Sequence, residues 1–104
     1  MTSIKDLRIE DRTFPEISFA DFAREHDLVL ELRERPLSMK LPRYFAAFQW
    51  VEVKNNGFLE SVFGDGQTKE AAINAYAVKL LGKVIVVDAY TDNRREIQCP
   101  NDWA

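Results

Sequence analysis

The sequence predicts an α+β fold in which an antiparallel sheet of three or four strands carries both helices on one face. Three observations predict it: an amphipathic helical segment near residue 75, an Asn-Gly hairpin signal in mid-chain, and alternating apolar residues before that hairpin. The predicted order is α-β-β-β-α with an additional C-terminal strand. Residues 1–16 are charge-rich and are expected to be an N-terminal arm, either flexible or forming a short added element, which leaves 17–104 as a single domain.

The first helix is predicted over residues 18–25. Ser18 is the expected N-cap, because its hydroxyl can accept a hydrogen bond from a backbone N–H of the first turn. Asp21 then stands at N3, where an acidic residue favours the helix dipole. Ile17 and Phe22 flank the cap at the spacing of a hydrophobic staple, so the helix is expected to pack its Phe22 face on the core.

A half-buried strand is predicted over residues 28–35, where apolar and polar residues alternate. Asn56 and Gly57 predict a two-residue hairpin, because both residues tolerate the positive φ that such turns need. A further strand is expected over 58–64, after which the Gly-Asp-Gly sequence at 64–66 is expected to turn the chain sharply into the next helix.

The strand predicted over residues 44–54 is apolar on both faces. Tyr44, Phe48 and Trp50 share one of these faces by their even spacing. A sheet covered on one side only would alternate polar and apolar residues here. Either the second face is covered as well, or it presents these aromatic residues to a partner.

The second helix is predicted to begin after Thr68 as N-cap and to end at Gly82, which suits a left-handed C′ position. Its outer face is unusual, since Ala71, Ala75 and Val78 stand where a free helix carries charged residues. One interpretation is that alanine is frequent because it forms helices well. The other is that a second element or a partner covers this face.

The C-terminal part is predicted to hold a strand over 84–89, a turn at residues 92–93 and a short strand over 95–99. Trp103 is predicted to pack back on the body. The strand over 84–89 would invite pairing with another chain if it lay at a sheet edge. The residues expected in the core are Phe19, Phe22, Leu28, Leu30, Leu32, Ile73, Tyr76 and Leu80.

Composition bounds the function. The 104 residues include 14 basic and 17 acidic residues, a net charge of −3, which argues against tight nonspecific attachment to nucleic acid or anionic membrane. Cys99 is the only cysteine, so no intramolecular disulfide and no cysteine-based zinc site are expected. No long apolar run occurs and the N-terminus is charged, so the protein is expected to be cytoplasmic and not to enter a membrane. No metal or cofactor is expected.

Catalytic chemistry finds little support in the sequence. His26 is the only histidine and follows the first helix, where capping is its expected role. Cys99 lies beside a proline with no histidine near it, and Asp88 ends a predicted strand with no carboxylate partner nearby. We therefore expect that the protein is not an enzyme.

The order of elements, the hairpin and the start of the second helix resemble a double-stranded-RNA-binding domain. The likeness covers residues 19–82 and is carried by FADFAREHDL, PRYFAAFQWVEVKNNG and GDGQTKEAAINAYAVKLLG. Small uncharacterised bacteriophage and prophage proteins are similar in size and in the additional strand. A looser likeness is to HicB-type antitoxins, although the helix-first order favours the former family.

The resemblance implies contact with duplex RNA, but two departures weaken that expectation. RNA-binding members carry a Lys-Lys-x-x-Lys cluster at the start of the last helix, whereas here Lys69 stands alone beside an acidic residue. The family's Gly-Pro-x-His contact in the first loop has no histidine here, which leaves Lys40 and Arg43. With Lys83 as a fourth cation, two or three phosphate contacts would give poor affinity.

Two functions are therefore expected from the sequence. The first is a small non-catalytic, phage-type binding module that acts through protein contacts, with a protein partner or a second copy in a homodimer. The alternative is weak binding of duplex RNA through the four cations. A monomer covered by its own arm and tail competes with the dimer. The residues expected at the protein interface are Tyr44, Phe48, Trp50, Ala71, Ala75 and Val78.

Overall fold

The strands of this α+β protein form two antiparallel sheets where one was predicted. The structure, a computed structural model, describes residues 17–104, and the predicted arm 1–16 lies outside the described residues. The elements in chain order are α1 Phe19–Glu25, β1 Leu30–Glu34, β2 Tyr44–Phe48, β3 Val51–Asn55, β4 Phe58–Glu60, β5 Gly64–Gly66, α2 Lys69–Leu80, β6 Val84–Val87 and β7 Arg95–Gln98.

The first sheet has the order β1-β2-β5 and the second has the order β4-β3-β6-β7, with every pair antiparallel. The strand predicted over 44–54 is two strands, because the chain bends at Gln49 and Trp50. Trp50 has φ 60°, a left-handed conformation that a strand residue does not adopt. The single strand predicted over 58–64 is likewise two strands, since β4 joins the second sheet and β5 joins the first.

The local signals at the helix ends and the hairpin are confirmed. Ser18 accepts a hydrogen bond from the backbone N–H of Asp21 at 3.1 Å. Thr68 accepts one from Ala71 at the same distance, so both predicted N-caps are formed. Gly82 has φ 70° just past the end of α2, as a C′ residue does. Positive φ values at residues 56 and 57 close the hairpin.

The Gly-Asp-Gly segment is a strand and not the sharp turn that was predicted. It forms β5, which pairs with β2 and lies directly against α2. A Cβ atom placed on Gly64 would collide with the backbone of Tyr76 and Ala72, and one on Gly66 would collide with Ala71 and Ala72. Both glycines are therefore required because the strand and helix backbones approach so closely.

The core lies between the helices and the sheets, and the predicted core set is confirmed. Phe22, Tyr76 and Leu80 are buried, and the other predicted members pack against them while partly exposed. Trp103 packs back on the body as predicted. Its Nε1–H donates to the carbonyl oxygen of Ala77 at 2.7 Å, and its ring meets that of Phe19 edge-on at 5.1 Å.

The strand at 84–87 does not lie at a sheet edge. It is β6, and it pairs with β3 on one side and with β7 on the other. Its backbone groups are therefore already bonded within the chain, so the expectation that the 84–89 strand forms an interface by strand pairing is wrong. The edges of the second sheet are β4 and β7.

We expect Gly64→Ala to lower the free energy of unfolding by about 3 kcal/mol or more, because its methyl group must displace the backbone of α2. Gly57→Ala is the control. Gly57 has open space around it, so alanine there meets only the steric cost of a positive φ. We expect it to lower the free energy of unfolding by about 1 kcal/mol. Urea unfolding measures both variants. Equal losses would contradict the close contact of β5 with α2.

Candidate interaction groove

A groove with a volume of about 520 Å³ lies beside the bend between β2 and β3. Phe45 and Ala47 of β2 line it, together with the connection at 61–63 and the loop at 88–91 that follows β6. The indole of Trp50 stands at the bend itself. This groove, called the interaction groove below, has the size of a site that takes a small ligand or several side chains of a peptide.

The pleat of β2 decides which side chains reach the groove. Phe48 is 3% exposed and its ring stacks on that of Phe19 at 5.1 Å, so it faces the helices. Tyr76 meets the same ring edge-on at 5.4 Å. Successive side chains of a strand point to opposite faces, so Phe45 and Ala47 face away from the helices and into the groove.

The rim of the groove is aromatic and exposed. Trp50 is 78% exposed and Tyr90 is 81% exposed, and Phe63 beside them is exposed as well. The hydroxyl of Tyr90 donates a hydrogen bond to Oε1 of Glu52 at 3.2 Å, which links this ring to a carboxylate of the groove lining. Large rings exposed together at a concave surface are typical of interaction sites.

The bend that carries Trp50 is held by backbone hydrogen bonds to the residue before β1 and to the residue after β6. The N–H of Gln49 donates to Val29 at 2.9 Å, and the carbonyl of Trp50 accepts from the N–H of Asp88 at 2.9 Å. Trp50 and Asp88 have φ values of 60° and 51°, which costs about 1 kcal/mol for each residue with a side chain. Strained positions of this kind cluster where function requires them.

The groove is acidic. Glu31, Glu52 and Asp88 line it, and among residues 17–104 no lysine or arginine does. A hydrogen bond from Arg33, whose Nη2 lies 2.8 Å from Oε2 of Glu31, lowers the pKa of that carboxyl. The lining therefore combines aromatic rings with negative charge, which suits a ligand that is apolar and cationic.

An arginine already occupies the neighbouring part of this sheet face. The guanidinium carbon of Arg35 lies 4.4 Å from the ring centroid of Phe45 and 5.9 Å from that of Phe63. Its Nη1 lies 2.7 Å from Oδ1 of Asp65, an ion pair without hydrogen-bond alignment, and donates to the carbonyl of Pro42 at 2.7 Å. The Arg35 side chain is only 11% exposed. Sequence reasoning missed this cluster because it placed Asp65 in a turn.

The predicted interface residues do not form one surface. Phe48 is buried in the core and is removed from that set, because the helices cover the face that it occupies. Tyr44 is half-buried, with the guanidinium of Arg43 at 5.6 Å from its ring. Trp50 is exposed but lies in the bend. On α2, Ala71 and Val78 are exposed and Ala75 is half-buried.

Three of the four predicted nucleic-acid contacts lie toward one end of the first sheet. Lys40 and Arg43 line a shallow pocket with Gln67, which stands two residues before Lys69 at the start of α2. Arg43 also forms an ion pair with Glu34. Lys83 follows the opposite end of α2, so about 18 Å of helix separates it from the others.

Cys99 and His26, two candidates for reactive chemistry, both pack within the fold. Cys99 is buried, and burial raises the pKa of its thiol to about 11, which keeps it protonated at neutral pH. The ring of His26 at the end of α1 packs at 4.6 Å from that of Phe22. Within residues 17–104 no three His, Cys, Asp or Glu side chains are grouped to hold a metal ion. Neither of the described helices is long and apolar enough to cross a membrane.

No protein-family model matches the chain, and neither a curated protein nor a solved structure matches it. The resemblances to double-stranded-RNA-binding domains, to bacteriophage proteins and to HicB-type antitoxins therefore stay predictions. The same holds for the cytoplasmic location and for the absence of enzymatic activity.

We expect Arg35→Met to lower the free energy of unfolding by about 2–3 kcal/mol, because it leaves the Asp65 carboxylate without its cation. The loss stays below that of a fully buried pair because the Asp65 side chain is 34% exposed. Arg33→Met is the control, since that guanidinium is mostly exposed and solvent screens its pair with Glu31, so we expect little change in stability. Urea unfolding measures the free energy of unfolding of both variants. Equal losses of stability would contradict the proposed importance of Arg35.

Proposed function

We propose that this chain is a small non-catalytic binding module that acts through protein contacts made in the interaction groove. The observation that carries the proposal is the exposure of Trp50 and Tyr90 on the rim of one concave, largely apolar site. Tryptophan and tyrosine are enriched among the residues that dominate protein interfaces, because each adds a large contact area at a small entropic cost.

The construction of the groove favours recognition by a preformed surface. Its floor belongs to β2, a strand bonded on both sides by β1 and β5. The bend under Trp50 is bonded to the residues that adjoin β1 and β6. A partner that enters the groove therefore meets a surface that is already ordered, which lowers the entropic cost of binding.

A random peptide library displayed on phage tests the proposal. We expect selection on the wild-type protein to yield peptides whose affinity falls at least about tenfold in the Trp50→Ala variant, because the largest exposed ring of the rim is lost. Fluorescence titration with the selected synthetic peptides measures the loss. Phe58→Ala is the matched control, because it removes an equally exposed aromatic ring outside the groove. If no selected peptide depended on Trp50, the proposal would be rejected.

Weak binding of duplex RNA is the second candidate. It is supported by the position of Lys40, Arg43 and Lys69 toward one end of the first sheet, where Gln67 links the pocket to the start of α2. The ion pair of Arg43 with Glu34 and the acidic balance of the chain oppose it. Few phosphate contacts remain to hold the RNA.

We expect a duplex RNA of roughly 20 base pairs to bind no more tightly than the micromolar range and to weaken between about 50 and 200 mM salt. The double variant Lys40→Ala/Lys69→Ala should bind more weakly, and Lys83→Ala should not, because Lys83 lies at the far end of α2. Fluorescence anisotropy measures this. Affinity that is independent of salt, or equally reduced by Lys83→Ala, would argue against this candidate.

A further inference from the structure

A second exposed apolar surface lies in the loop between β1 and β2. Residues 36–42 read PLSMKLP, and Leu37, Met39 and Leu41 are all exposed, Leu37 by 80%. Together with the groove residues Trp50, Phe63 and Tyr90, they make up six of the nine large apolar side chains that are exposed among residues 17–104. Exposed apolar side chains that are grouped in this way mark interaction sites. The chain therefore has two candidate interaction surfaces.

The loop at 36–42, called the apolar loop below, is restrained by hydrogen bonds and by proline. The N–H and the guanidinium of Arg35 donate to the carbonyls of Arg43 and Pro42, each at 2.7 Å, and so tie the two ends of the loop together. The N–H of Met39 donates to the carbonyl of Pro36 at 3.0 Å, and a proline stands at each end. These restraints reduce the entropy that the loop would lose on binding.

The apolar loop and the interaction groove carry opposite charges. The loop at 36–42 holds one basic residue, Lys40, and no acidic one. Arg35 and Arg43, which flank it, are already paired with Asp65 and Glu34. The groove is lined by three acidic residues and, within the described part of the chain, by no lysine or arginine. The packing of Arg35 over Phe45 and beside Asp65 shows that this sheet face accommodates a cation between rings and a carboxylate.

The two surfaces lie at different ends of β2. The apolar loop enters the strand at Tyr44, and the rim at Trp50 follows its other end, about 20 Å further along the backbone. None of the residues that line the groove belongs to the loop of the same chain. A loop from another copy can approach the rim from outside.

We propose that the interaction groove takes the apolar loop of a second copy of this chain, so that the copies associate head to tail. Leu37, Met39 and Leu41 cover the aromatic rim, and Lys40 faces the carboxylates of the groove. The inference rests on the proposed function, since it names the partner of the same site. The contact is heterologous, because the surface on one copy differs from that on the next, in contrast to the twofold dimer expected from the sequence.

A contact of one loop with one groove is small, so the association is weak and depends on concentration. We expect the weight-average mass in sedimentation equilibrium to rise above the 12.0 kDa of one chain between about 10 μM and 1 mM. Trp50→Ala disables the groove, and the double variant Leu37→Asp/Leu41→Asp disables the loop. Each alone should associate at least about tenfold more weakly. All three positions are exposed, so the variants should remain folded, and Tyr90→Ala repeats the groove test.

Mixing the two variants gives the decisive measurement. The loop of the Trp50→Ala chain and the groove of the other variant are both intact, so an equimolar mixture should form a dimer of two chains. It should form nothing larger, because the groove and the loop left free on that dimer are the disabled ones. A twofold contact of groove with groove would instead leave the loop variant associating by itself and would overturn the inference.

The remaining outcomes separate the inference from the proposed function. A single 12.0 kDa species at the highest concentration, together with library peptides that depend on Trp50, would overturn the inference and leave the proposed function standing. Association that Trp50→Ala and Tyr90→Ala leave unchanged would overturn the inference as well. With neither association nor peptides that depend on Trp50, both would fall. Phe58→Ala serves as the control and should associate as the wild type does.

Discussion

The alternation of three residues in β5 is the constraint on which the rest of the structure depends. Gly64 and Gly66 face α2 and let the two backbones meet without intervening side chains. Asp65 between them points to the other face of the same sheet, where it pairs with Arg35. One short strand thus sets the distance of the helix from the sheet on one side and anchors the base of the apolar loop on the other.

The bend at Trp50 gives the molecule its second sheet and its groove at the same point. The backbone partners of Gln49 and Trp50 directly adjoin strands of different sheets, β1 and β6, so the bend is where one ladder of hydrogen bonds ends and the next begins. The outer face of β2 continues only as far as this bend. The strand after the bend, β3, belongs to the second sheet, and the groove lies beside the bend where the two sheets meet.

Much of the fold could be predicted because its signals are local. Several signals depend on a few neighbouring residues only, and the structure forms all of them: the N-caps at Ser18 and Thr68, the C′ glycine at Gly82 and the hairpin at 56–57. The groove could not be predicted in this way. A tryptophan with positive φ carries no local signal, since glycine and asparagine are the residues expected there. The pairing of Asp65 with Arg35 joins segments thirty residues apart through the register of β1, β2 and β5.

The left-handed backbone at Trp50 sets stability and recognition against each other. Glycine at this position would adopt the same φ without a steric cost, so the fold alone would gain from losing the side chain. The ring that such a change removes is the largest exposed one on the rim of the groove. Selection for thermal resistance alone should therefore favour glycine at position 50, whereas selection for binding a partner should retain the indole.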